Sequence, residues 1–174
     1  RSTLTAWYGA ARPRTLTATY VPLGLAGAIA LDQGVFQLVP FVLALIGAVC
    51  LQAGANLINE YFDFRRGADT LKVAGQGMTI KNQILTPRLV LMGAVVTVGI
   101  GVLIGLILLI QSGPLLLWIG LGGVLVVILY PAGPFPLAYT GLGALPVFIL
   151  MGPLMVLGAY SVMAHAVKIG SAHV

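Results

Sequence analysis

Charged side chains are scarce in this chain. Only 7% of its 174 residues are Asp, Glu, Lys or Arg, whereas 59% are hydrophobic. Soluble proteins carry about 25% charged residues, because a surface in contact with water is rich in them. The scarcity therefore excludes a water-soluble domain and indicates a membrane protein.

The chain also lacks the residues that several other classes of protein require. Its single cysteine, Cys50, lies in an apolar run, so it can form no internal disulfide, and a zinc site would need more ligands. It contains no repeat of solenoid length and no low-complexity tract. The net charge of +5 sits on a very apolar chain, so it indicates orientation in a membrane and not binding of nucleic acid.

Long apolar runs predict an all-α fold, a polytopic bundle of transmembrane helices in one domain over residues 1–174. A helix needs about 20 apolar residues to cross the bilayer core. Five runs qualify, and because they are continuous and not alternating they favour helices over a β-barrel. The predicted spans are residues 15–31, 36–59, 89–110, 114–130 and 141–163, and residues 64–88 form a loop between the second and third.

The basic residues predict the orientation of these spans. Eight of the nine fall on one side of the membrane, before the first span or in the loop at 64–88, and only Lys168 falls on the other. Loops rich in Lys and Arg stay in the cytoplasm. We therefore expect a cytoplasmic N-terminus and a cytoplasmic 64–88 loop, in what we predict to be a prokaryotic plasma membrane.

A polar stripe follows one face of the second span near its cytoplasmic end. Its members recur at the spacing of a helical face. Such a face must look into the bundle or into a wet cavity, because a charge at the bilayer centre costs about 2.5–3.5 kcal/mol on insertion scales. The stripe consists of Gln52, Asn56, Asn59, Glu60 and Asp63.

Three of the four carboxylates of the chain lie within ten positions, at Glu60, Asp63 and Asp69. Clustered carboxylates repel one another unless a cation lies between them, and oxygen ligands select Mg²⁺ or Ca²⁺ over zinc. Mg²⁺ often completes its shell with phosphate oxygens, which nearby basic side chains would also bind. The stripe thus predicts a diphosphate–magnesium site at the membrane interface. The alternative is that it merely flanks a helix end, with Arg and Asp paired among the lipid headgroups. The basic neighbours are Arg65, Arg66, Lys72 and Lys81.

Four segments resemble one family of membrane enzymes. Residues 59–69, NEYFDFRRGAD, resemble the first aspartate-rich motif of the UbiA-type intramembrane prenyltransferases. Among these the chain is most similar to the 1,4-dihydroxy-2-naphthoate prenyltransferases of menaquinone synthesis. The other matching segments, in the family's order, are RPRTL at 12–16, ILTPR at 84–88, and residues 130–143 followed by Gly152 and Pro153.

The resemblance implies a fold, an activity and a set of partners. The family fold is a bundle of nine helices around a central cavity, of which this chain would supply five. Its members are transferases that use Mg²⁺ to move a prenyl group from a prenyl diphosphate to an aromatic acceptor, here one such as a dihydroxynaphthoate. The implied partners are these two substrates and the lipid bilayer.

The resemblance also assigns residues. Asn59, Asp63 and Asp69 match the catalytic residues that bind Mg²⁺ and diphosphate, and Arg14 and Arg66 are candidate diphosphate contacts. The charge pattern adds Lys72 and Lys81 as basic substrate-binding residues, and the stripe adds Asn56. Tyr139 either faces the allylic cation formed during transfer or belongs to an aromatic belt at the interface.

The chain departs from the family pattern in its second half. It has no Asp or Glu after Asp69, so a second aspartate-rich motif is missing, and Ala144 stands where the family usually carries an acid. We therefore expect no transfer by this chain alone. It is either the N-terminal part of an enzyme or a shortened, non-catalytic relative that serves as a structural or quinone-binding subunit of a larger membrane complex.

Overall fold

The computed structural model describes residues 3–67, 78–132 and 144–171, and within these ranges every regular element is helical. The all-α fold predicted from the sequence is thereby confirmed. The α-helices, numbered in chain order, are α1 Thr3–Ala10, α2 Thr17–Asp32, α3 Leu38–Arg65, α4 Pro87–Ser112, α5 Pro114–Ala132, α6 Ala144–Ile149 and α7 Met155–Ser171. A 3₁₀ turn, Pro13–Leu16, precedes α2, and a π-helical segment, Leu150–Leu154, joins α6 to α7.

Four helical stretches are long and apolar enough to cross a bilayer. They are Pro13–Asp32, Leu38–Arg65, Pro87–Ser112 and Ala144–His165. The predicted fourth span is helical as well, but its apolar part, Pro114–Tyr130, is shorter than these. The polytopic helical bundle is thus confirmed, while the count of five spans stays a prediction.

Close contact between α3 and α4 forms the centre of the bundle. A Cβ atom added at Gly54 of α3 would lie 2.5 Å from Val98 Cγ2, and one added at Gly101 of α4 would lie 2.7 Å from Leu51 Cγ. Such distances are far below van der Waals contact, so only glycine permits this approach. Small residues at helix interfaces commonly bring the backbones of membrane helices together.

A tight turn at Gly113 reverses the chain between α4 and α5. Gly113 adopts φ +75°, a left-handed conformation that favours glycine, and Pro114 then begins α5. The helix α7 packs alongside α5, with Gly158 close to Ile119. The helices α5 and α7 each pack against both α3 and α4, and an interior space remains between the four helices.

The C-terminal end of α3 is covered by two other segments. Residues of α1 and of the stretch before α4 pack on it in one apolar cluster, in which Ile80 and Leu85 are each 3% exposed. Trp7 of α1 packs against the same cluster and lies over Gly93. The polar stripe of α3 therefore ends against α1 and the residues that precede α4. The buried members of the cluster are Ala6, Ala10, Leu57, Ile80, Leu85, Val90 and Ala94.

Candidate functional site

An elongated cavity of about 460 Å³ lies between α3, α4, α5 and the α6–α7 helix. Its walls are almost wholly aliphatic and consist mainly of Leu, Val, Ile, Ala and Gly residues from all four elements. The polar residues among its lining are Gln52, Asn56, Asn59 and Tyr130. A long apolar space with few polar groups is the usual form of a binding site for an apolar ligand with a polar end.

The stripe of α3 meets this cavity. Asn59 lines it at the polar end, and Gln52 lines it two helical turns farther in. Asn56 also borders the cavity, but its Nδ2 donates to Ala11 O at 2.7 Å and to Thr15 Oγ1 at 2.9 Å. The two N–H groups of Asn56 thus fasten α3 to the connection between α1 and α2.

Asp63 lies one helical turn beyond Asn59, and the guanidinium of Arg12 lies beside it. Arg12 Nη2 is 3.6 Å from Asp63 Oδ2 and 3.9 Å from Glu60 Oε2. The side chains of Arg12 and Asp63 are only 16% and 19% exposed, and that of Glu60 is fully buried. Arg12 therefore offsets part of the negative charge of the two carboxylates, next to the turn of α3 that lines the cavity.

Arg12 is held in an unusual way. Its backbone adopts φ 51° and ψ 65°, a left-handed conformation that non-glycine residues seldom take. Within the part of the chain that the structure describes, its buried Nε and Nη2 atoms have no hydrogen-bond partner. Buried donors without acceptors cost stability, and Nε and Nη2 of Arg12 remain able to donate to a further acceptor.

Glu60 has a different role from its neighbours on the stripe. Its Oε1 accepts a hydrogen bond from Thr79 N at 2.7 Å, and Thr79 Oγ1 and Ile80 N lie at 3.2 and 3.4 Å. These bonds fasten the segment before α4 to the end of α3. A fully buried carboxylate is stable only when donors surround it in this way. Glu60 thus serves the architecture of the site.

The other predicted site residues are spread around this region. Arg14 and Lys81 are exposed, and the guanidinium of Arg66 lies over the ring of Phe62, 5.5 Å from its centroid. The remaining three, Asp69, Lys72 and Tyr139, lie outside the described residues. The structure thus brings together Asn56, Asn59 and Asp63, and leaves the exposed basic side chains around them.

The donor chemistry of the polar end suits a hard cation. Asn59 and Asp63 present an amide and a carboxylate on successive turns of α3. Across residues 3–67, 78–132 and 144–171, no three His, Cys, Asp or Glu side chains form a group that could hold a metal. Mg²⁺ commonly takes only one or two carboxylates and fills its shell with phosphate oxygens and water, so these two residues fit it.

Arg12 is the residue that the sequence analysis failed to select. It occurs in the matched segment at 12–16, but Arg14 was chosen from that segment. The sequence feature that could have identified Arg12 is Pro13. A residue that precedes proline is disfavoured in the α region, so a helix usually ends there. The side chain at such a corner can turn back towards α3, whereas Arg14 lies on the exposed turn that follows.

Comparisons with known proteins identify a family for this chain. The profile of the UbiA prenyltransferase family matches residues 20–172. The 1,4-dihydroxy-2-naphthoate octaprenyltransferase of Bacillus subtilis (strain 168) is 36% identical over 92% of this chain and 51% of its own length. The protein of that name from Mycobacterium tuberculosis is 38% identical over 87% of this chain and 52% of its own. No solved structure gives a significant match.

Eukaryotic proteins are similar too. The UbiA prenyltransferase domain-containing protein 1 of Danio rerio is 31% identical over 98% of this chain and 49% of its own length. The chain therefore spans about half the length of the curated relatives that it matches. Four apolar helices and the family match make it an integral membrane protein, while the prokaryotic origin and the orientation stay predictions. With the profile covering most of its length, the chain belongs to the UbiA prenyltransferase family.

Proposed function

We propose that this chain carries the allylic diphosphate site of a membrane prenyltransferase of menaquinone synthesis. The enzyme would transfer a prenyl group to an aromatic acceptor such as a dihydroxynaphthoate, with Mg²⁺. The observation that carries the proposal is the aliphatic cavity that ends at Asn59, one turn from the Arg12–Asp63 pair. The names of the bacterial relatives support the same reaction class, and support it over a non-catalytic subunit.

The polar end would hold the head of the substrate. Asn59 and Asp63 are the residues that would bind Mg²⁺, with Asp69 as the third residue that the motif predicts. Bound Mg²⁺ would stabilise the negative charge that develops on the diphosphate as it leaves. The buried Nε and Nη2 donors of Arg12 would supply further hydrogen bonds to that anion, in a region where charge-assisted hydrogen bonds are strong.

The aliphatic walls would hold the prenyl chain and exclude water. In the transfer, the bond between the allylic carbon and the diphosphate oxygen breaks and its electron pair leaves on oxygen. A ring carbon of the acceptor then supplies the pair for the new bond, and the group that this carbon carried, a proton or CO₂, leaves and returns its bonding pair to the ring. Exclusion of water protects the allylic cation from hydrolysis and strengthens the electrostatic contacts of Arg12.

The lipid bilayer is the expected partner of the outer helix faces, and a larger membrane complex stays a prediction.

The experiment is a titration of farnesyl diphosphate into the 174-residue chain in lipid nanodiscs, with Mg²⁺ or with a chelator. We expect Mg²⁺-dependent binding that Asp63→Asn weakens by at least about tenfold, because the carboxylate is lost from the metal site. Asp32→Asn is the matched control, since Asp32 is an exposed carboxylate at the end of α2. Binding that a chelator leaves unchanged, or equal binding by the Asp63 variant, would overturn the proposal.

A further inference from the structure

Gln52 is a polar side chain at an unexpected depth. It is the fifteenth of the 28 residues of α3, so it lies at the middle of a membrane-spanning helix. It is half-buried and lines the aliphatic cavity, and none of the described residues hydrogen-bonds to its amide. Polar side chains inside membrane spans are costly and usually mark a ligand path or site. The Gln52 amide thus faces the cavity without a hydrogen-bond partner among the described residues.

The prenyl diphosphate of the proposed function cannot be that partner. All its polar atoms are at one end, and that end is assigned to Asn59, Asp63 and Arg12. Gln52 lies seven residues from Asn59, about 10 Å along the helix at 1.5 Å per residue. At that distance the prenyl diphosphate offers only hydrocarbon. Of the two substrates, only the acceptor can therefore place a polar group beside Gln52.

We infer that the Gln52 amide binds the hydroxyl-bearing edge of the aromatic acceptor, an inference that rests on the proposed function. A hydroxyl both donates and accepts a hydrogen bond, and a carboxamide offers both complements. In 1,4-dihydroxy-2-naphthoate the carboxylate is meta to the 4-hydroxyl on the same ring. With the 4-hydroxyl at Gln52, the carboxylate would point towards the polar end of the cavity, because an unpaired charge is far more costly than a hydroxyl in an apolar space. These two meta substituents are thus matched to the two polar points of the cavity.

This arrangement also places the two substrates correctly relative to each other. A fused aromatic ring system that lies between Gln52 and the polar end spans most of the distance between them. Its ring carbons then lie beside the allylic carbon, which is next to the diphosphate. Gln52 would act as a specificity-determining residue, because an acceptor without the hydroxyl edge would leave its amide unpaired.

The test is the affinity for two acceptor probes, 1,4-dihydroxy-2-naphthoate and 2-naphthoate, which lacks both hydroxyls. They are titrated into the chain in nanodiscs in the presence of Mg²⁺ and farnesyl diphosphate. Wild-type protein should prefer the dihydroxy compound by about three- to tenfold, the usual value of one buried hydrogen bond. Gln52→Met, which retains the length of the side chain, should reduce this preference to less than about twofold. Met92→Leu, a conservative change at an exposed position of α4 outside the cavity, should leave it unchanged.

The outcomes separate the inference from the proposed function. If wild-type protein binds farnesyl diphosphate and both acceptors, and Gln52→Met retains the full preference for the hydroxyls, the inference is wrong and the proposed function stands. A loss of affinity for both acceptors and for farnesyl diphosphate in Gln52→Met would also overturn it, since that result makes Gln52 a structural residue of the cavity and not one that distinguishes acceptors by their hydroxyls. If wild-type protein binds no farnesyl diphosphate, both proposals fail.

Discussion

The polar residues of α3 divide into groups with separate tasks. Asn56 and Glu60 form hydrogen bonds that hold neighbouring segments, whereas Asn59 and Gln52 face the cavity. The sequence spacing predicted that all of them share a helical face. It could not predict the division, because the partners of Asn56 and Glu60 are backbone groups of residues 11 and 79–80, about 45 and 20 positions away.

Arg12 gives the clearest prediction at the residue scale. We expect Arg12→Lys to weaken Mg²⁺-dependent binding of farnesyl diphosphate by about tenfold or more. The ammonium retains the charge but lacks the buried guanidinium donors, Nε and Nη2, which have no hydrogen-bond partner among the described residues. The measurement is the same titration in nanodiscs. Arg88→Gln is the control, since Arg88 is an exposed cation in the first turn of α4.

Two results would contradict this role for Arg12. One is unchanged affinity in Arg12→Lys. The other is a much larger loss in Arg14→Gln, which would show that the sequence-based choice of Arg14 was the better one.

At the scale of helices, most of the architecture could be predicted from the sequence. Continuous apolar runs fixed the positions of the helices within a few residues, since length and hydrophobicity decide membrane insertion. The end of α3 was predicted at residue 59, whereas the helix continues to Arg65. The apolar run ends at 59, but the helical spacing of the polar stripe continues, and the contacts of α1 and residues 78–85 support the extra turns.

The contact between α3 and α4 yields a prediction about stability. Gly54→Ala should destabilise the protein by about 1–3 kcal/mol, because the new methyl group would overlap Val98 Cγ2 and lie 3.0 Å from Thr97 Oγ1. Gly99→Ala is the matched control, since a Cβ atom there meets open space and alanine favours the helix.

Thermal unfolding in detergent, followed by circular dichroism, measures both variants. We expect a lower midpoint for the Gly54 variant and an unchanged or slightly higher midpoint for the Gly99 variant. Equal midpoints for the two would show that α3 and α4 do not pack as closely as described.

At the scale of the whole molecule, the helices enclose a cavity that has one polar end and long apolar walls. The sequence predicted the polar end from the residue types on α3. It could not predict the cavity, whose walls come from aliphatic residues that any membrane helix contains. Only the arrangement of α3, α4, α5 and α7 shows which of those residues face inward, as Leu109 does, and which face outward, as Leu103 does.

Catalysis by the isolated chain is the prediction that belongs to this scale. The sequence has no carboxylate after Asp69, and the chain spans about half the length of its curated relatives. We therefore expect the 174 residues alone to bind farnesyl diphosphate but to give no detectable transfer to 1,4-dihydroxy-2-naphthoate in a chromatographic product assay. Measurable turnover would show that the second acidic motif is dispensable.

The most direct test of the account locates the prenyl chain itself. A prenyl diphosphate with a photoreactive diazirine on its last isoprene unit is bound with Mg²⁺, irradiated, and its labelled residues are identified by mass spectrometry. We predict labels on cavity residues such as Ile104 and Leu109, and their loss in Asp63→Asn. Labels on Leu103 and Ile107, the outward face of the same helix, that persist in Asp63→Asn would contradict the account.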